Sequence, residues 1–186
     1  MDKSSQFISL SGLSGVLAGV YALAGAIFIK YIDALQDGYV IVDSYSFKII
    51  LGVALAVLLL SIATGLLFSI RKARRVGETV WNNTSKRLIT NFMIPLVTGG
   101  VFSLLLIKNQ YYGLIAPITL IFYGMACVNA SKYTLRDVRY LGVTVIVIGL
   151  AATYFMGYGL EFWALGFGVC HILYGSIMYF KYDRNK

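Results

Sequence analysis

Charged positions in this chain are clustered, and between the clusters lie six stretches free of Asp, Glu, Lys and Arg: 4–29, 49–70, 88–107, 109–131, 140–160 and 162–180. Crossing ~30 Å of hydrocarbon takes about 20 residues of α-helix at ~1.5 Å per residue, and every stretch is long enough. Runs such as Val53 to Leu60 are continuously apolar, without the alternation of a membrane β-strand. Lipid offers no partners to a free amide, so helices are expected. The pattern predicts a single all-α domain, residues 1–186. It is a polytopic membrane helical bundle with six transmembrane helices, at about 7–29, 49–70, 88–107, 111–131, 140–157 and 161–180.

Composition agrees. Hydrophobic residues make up 59% of the chain and charged residues 13%, with a mean hydropathy of +0.77. That excludes a disordered chain and a water-soluble enzyme. With the N-terminus inside, 13 of the 16 basic residues fall on the cytoplasmic side, leaving Lys30, Lys48 and Lys108 outside. The positive-inside rule therefore predicts N-in/C-in. The net charge of +8 then reads as a topology signal and a contact with anionic lipid headgroups, not as a nucleic-acid footprint. Ala22-Leu23-Ala24 has the form of a signal cleavage site. The apolar run continues beyond it through Ile27-Phe28-Ile29, so the first span is expected to be a retained helix.

Short connections predict tight antiparallel hairpins, spans three and four turning at Lys108-Asn109-Gln110, spans five and six near Gly157-Tyr158-Gly159. Spans four and six share a faint likeness, Ile121-Phe122-Tyr123-Gly124 against Ile172-Leu173-Tyr174-Gly175. Ser11, Gly15, Ala18, Ala22 and Gly25 in span one, and Ala164, Gly168, His171 and Gly175 in span six, form small-residue faces suited to close helix packing. Pro95 and Pro117 are expected to kink spans three and four.

His171, the single histidine, sits mid-span on that small-residue face and is expected to be buried in the bundle. An ionisable group at such depth either marks a functional site or serves as interhelical hydrogen-bonding glue. Most of the 14 tyrosines border the interfaces as an aromatic belt. Tyr21, Tyr123 and Tyr174 lie deeper, and Thr98 is central in span three. A midplane ligand pocket lined by His171, Tyr174, Tyr123, Tyr21 and Thr98 is one expectation; scattered interhelical hydrogen bonds are the other. No zinc motif, phosphate-binding loop or paired intramembrane carboxylates occur, so no metal, cofactor or catalytic residue is assigned. Enzymatic activity is the least favoured reading. Cys127 and Cys170 differ by about 9 Å in depth and are expected to be free thiols.

The internal loop from Arg71 to Arg87 carries Arg71, Lys72, Arg74 and Arg75, followed by Val76, Val80 and Trp81 at helical spacing. A short helix lying on anionic lipid is expected there, with Asn83, Thr84 or Ser85 capping the third span. The sequons at Asn82, Asn83 and Asn129 fall on the cytoplasmic side and are discounted. Glu161 is expected to be solvated at the outer edge.

The segment from Val128 to Gly142, and the Gly-x-x-His-x-x-Tyr-Gly pattern from Gly168 to Gly175, resemble small bacterial six-helix inner-membrane proteins of unknown function. The resemblance implies a bacterial cytoplasmic membrane and nothing about mechanism. The functional expectation is binding or passage of a small molecule or ion at the bundle centre. The alternative is a non-enzymatic membrane sensor or partner subunit presenting basic cytoplasmic loops to a cytoplasmic protein or to a second copy.

Overall fold

A computed structural model describes residues 11–34, 45–75, 77 and 81–184. It is all-α, with six helices long and apolar enough to cross a membrane. These are α1 (Gly12–Ala34), α2 (Tyr45–Arg75), α3 (Asn83–Lys108), α4 (Ile115–Ala130), α5 (Asp137–Tyr154) and α6 (Gly159–Asp183). A 3-10 turn, Tyr112–Leu114, leads into α4. The start of the first expected span, residues 7–10, lies outside the described residues, as does most of the first external loop.

Two close pairs build the centre. α4 packs along α5, α1 packs along α6, and α6 joins the pairs by touching α4 and α5. α2 rests on α1 and α3 on α4, both at the flanks. Glycines set these approaches. A Cβ on Gly124 would stand 2.6 Å from the Gly142 carbonyl oxygen, and one on Gly142 would stand 2.6 Å from that of Gly124. Between α1 and α6, a Cβ on Gly19 would stand 2.6 Å from the Gly168 carbonyl oxygen, and one on Gly175 would stand 2.6 Å from the Val16 amide nitrogen. In hydrocarbon, where apolar burial gives helices no drive to associate, such backbone proximity is the source of packing energy. The small-residue faces expected on spans one and six therefore meet at Gly15 and Gly175, while Gly25 turns to Val53 and Val57 of α2.

Two sequence expectations are corrected. Pro117 lies in the first turn of α4, where its missing N–H would have had no intrahelical partner, so it has no bond to break; Pro95 alone sits well inside its helix. The cap of α3 is Asn82, not a residue from 83 to 85. The Asn82 side chain accepts from the Ser85 amide at 2.8 Å, and the Ser85 hydroxyl accepts from the Asn82 amide at 2.9 Å, a reciprocal capping box.

Charged side chains join the helix ends. At one end Lys72 meets Asp183 and Lys181 meets Asp137; at the other Lys30 meets Glu161 at 3.3 Å. Glu161 is thus paired as well as half-exposed.

Candidate functional site

The single histidine, His171, is buried at 6% exposed. The helix that carries it is not uniformly α. Between α-helical Gly159–Trp163 and Cys170–Met178, residues Ala164–Val169 form a π turn, and the Cys170 N–H reaches back five residues to the Leu165 carbonyl. One extra residue in the turn rotates the downstream side chains relative to an unbroken α-helix, and such bulges recur at functional positions. Glycines at 166 and 168 leave room for it. Gly166 abuts the Leu120 side chain of α4, and a Cβ on Gly168 would stand 2.5 Å from Leu23 of α1.

This geometry brings His171 Nδ1 to 3.0 Å from the Gly166 carbonyl oxygen, while Nε2 stands 2.6 Å from the Tyr123 hydroxyl. A carbonyl only accepts, so Nδ1 carries a proton and donates it. The neutral imidazole then presents Nε2 as an acceptor for the Tyr123 hydroxyl, which fixes the tautomer. Cys127 lies one turn along α4 from Tyr123 and is buried. Aromatic rings close the surroundings: Phe167 lies 5.0 Å from Tyr123 and 6.0 Å from His171 between ring centroids, with Phe92 of α3 edge-on to Tyr123 at 6.0 Å. Leu120, Leu141, Val145, Ala152 and Cys170 form the apolar core alongside. Both cysteines are buried free thiols, as the sequence indicates.

Of the five residues expected to line a midplane pocket, the structure brings together His171 and Tyr123. Tyr174 turns to α5, its hydroxyl 3.3 Å from that of Thr144. Tyr21 is half-buried on α1 and makes no hydrogen bond to the pair. Thr98 lies on the exposed side of α3, donating to the Ile94 carbonyl at 2.8 Å. It borders a shallow apolar groove of 420 Å³ with Val97, Val101, Phe102, Leu105 and Phe122. A second groove, of 370 Å³, lies over Phe155, Tyr158, Glu161, Phe162 and Leu165. Neither groove is lined by His171 or Tyr123. Among the described residues no group of three or more His, Cys, Asp or Glu could hold a metal ion.

The basic end differs from expectation. Arg71, Lys72, Arg74 and Arg75 do not open a separate surface helix; they form the last turn of α2, which continues unbroken to Arg75. α3 begins at Asn83, and Val76 and Val80 lie outside the described residues. Trp81 is exposed, with the Lys86 ammonium 5.7 Å from its ring centre. Arg71, Arg74, Arg75, Lys86, Arg87, Lys132, Arg136, Arg139, Lys181 and Arg184 are all at least partly exposed around helix ends on this side. The described acids there, Asp137 and Asp183, are taken up internally. Asp137 accepts from Lys181 at 3.0 Å and from the Tyr182 hydroxyl at 2.7 Å, and Asp183 accepts from Lys72 at 2.6 Å. Among the described residues the outward charge of this face is therefore almost wholly positive.

Sequence reasoning did not anticipate Gly166, whose carbonyl orients the histidine, nor Asp183. For Asp183 a signal existed: an acid two residues after the basic Lys181, just past the end of the charge-free run 162–180. For Gly166 none existed, because a π turn has no sequence period of its own. Comparison with protein-family models, with curated proteins and with solved structures finds no match to this chain.

Proposed function

We propose that this chain is a non-catalytic multi-pass protein of a bacterial inner membrane, with both termini cytoplasmic. It acts there as a sensor or partner subunit whose basic face engages an acidic cytoplasmic protein. The observation that carries this reading is a filled centre beneath a cationic end. His171 has both ring nitrogens occupied by Gly166 and Tyr123 within an aromatic cluster. It therefore offers no open bonding position to a small molecule or ion in transit. The basic residues, by contrast, face outward while the acids beside them are neutralised internally. The 13-to-3 distribution of Lys and Arg supports placing that face in the cytoplasm, and the resemblance of Val128–Gly142 supports the bacterial setting.

Photo-crosslinking in cells tests it. A benzoylphenylalanine at Arg74 or Arg136 should give a discrete adduct with a cytoplasmic polypeptide, and one at Val147 should give none. The adduct should vanish when Arg71, Arg74 and Arg75 are changed to Glu while the protein stays in the membrane. Absence of any adduct at the basic positions would overturn the proposal, as would saturable solute flux in proteoliposomes.

A further inference from the structure

α2, like α3, lies at the flank of the bundle. It has 31 residues, roughly 46 Å of helix, yet its extensive neighbour is α1 alone. There Gly25 of α1 lies close against Val53 and Val57. At one end Phe47 meets Tyr112 edge-on, with ring centroids 5.8 Å apart. At the other end lies Ala73, fully enclosed at 0% exposure and the single buried residue among the described side chains of α2. Its neighbour Lys72 makes the 2.6 Å ion pair with Asp183.

Asp183 ties its own helix to two other segments at once. One carboxylate oxygen takes Lys72 of α2, and the other accepts from the Gly12 amide at 2.9 Å and the Ser11 hydroxyl at 3.3 Å. The last residue of α6 thus caps the first turn of α1 and holds the last turn of α2. The two charged side chains are only 15% and 12% exposed, so removing one partner leaves a largely desolvated charge behind. α2 thus packs on one side against α1 and is tied at its basic end by this ion pair.

We propose that the Lys72–Asp183 pair is a clasp that keeps α2 docked, and that opening it lets α2 shift relative to the rest of the bundle. The proposal goes beyond the partner reading and stands without it. Where that reading holds, the clasp gives the basic face a moving part, because Arg74 and Arg75 lie in the last turn of α2 itself.

The test is electron–electron distance spectroscopy on the full chain in nanodiscs. Spin labels at Leu58→Cys on α2 and Val147→Cys on α5 report α2 docking. A control pair, Val147→Cys with Leu173→Cys on α6, reports the remaining bundle. The first pair should give a narrow distribution in the parent and in Lys72→Arg, and one broadened or displaced by several ångströms in Lys72→Met and Asp183→Asn. The control pair should stay narrow throughout. If both neutralised variants keep α2 as narrow as the parent, the clasp does not hold the helix. If the control pair broadens equally, the pair is a general stabiliser and the proposal is wrong.

Discussion

Replacing Gly142 by alanine perturbs one of the closest helix contacts in the protein by one methyl group. An ideal Cβ there would lie 2.6 Å from the Gly124 carbonyl oxygen and 2.9 Å from both the Val128 amide nitrogen and its Cγ2. The two backbone atoms cannot rotate away. Reaching ordinary contact at 3.4 Å requires α4 and α5 to part by about 0.8 Å along that line. Overpacking of a filled interior costs about 1–3 kcal/mol, while alanine recovers about 0.8–1 kcal/mol of helix propensity over glycine. A net loss of up to ~2 kcal/mol follows. Gly100 of α3 is the matched control, because nothing lies within 4 Å of its Cβ position. Gly100→Ala retains the propensity gain without the clash and should be neutral or stabilising by up to ~1 kcal/mol. Reversible unfolding in mixed micelles, followed by steric trapping, would measure both. The reasoning fails if Gly142→Ala is as stable as Gly100→Ala.

Other outcomes rest on the same contacts. Tyr123→Phe and His171→Leu should each destabilise by about 1–2 kcal/mol, with a coupling of about 0.5–1.7 kcal/mol in the double-mutant cycle, the range of interhelical hydrogen bonds in membranes; additive effects would mean that the 2.6 Å contact contributes nothing. Asn82→Ala should lose about 0.5–2 kcal/mol by removing the capping box of α3, read by the same unfolding assay. Glu161→Gln should shift stability by less than about 1 kcal/mol, since its pair with Lys30 is exposed. Impermeant thiol reagents applied from outside should modify a cysteine placed at Asn109 and spare one at Gly77. The reverse pattern would invert the proposed orientation.

The six spans were legible because charge cannot be left in hydrocarbon, so the gaps between charges mark the helices directly. Their ends were not. α2 extends five residues past its charge-free run to Arg75, because a helix leaving the bilayer keeps its own hydrogen bonds whether or not its side chains are charged. Small-residue faces on α1 and α6 were readable from spacing alone. Burial of His171 was readable from the same face, but its partners were not. The π turn at Ala164–Val169 changes the register between Trp163 and Cys170. Tyr174, three residues after His171, serves α5, and the partner phenol comes from Tyr123 on α4. Thr98 looked central by depth, yet depth does not determine azimuth, and α3 turns it outward.

His171 is the single histidine in 186 residues, so selective ¹⁵N-histidine labelling gives one imidazole signal pair in bilayer solid-state NMR. The expected spectrum has a protonated Nδ1 and an unprotonated, hydrogen-bonded Nε2, unchanged by monovalent ions, by zinc or by small organic ions, because both nitrogens are engaged within the bundle. An Nε2-protonated tautomer, or a resonance that moves on addition of one of these solutes, would contradict a closed centre.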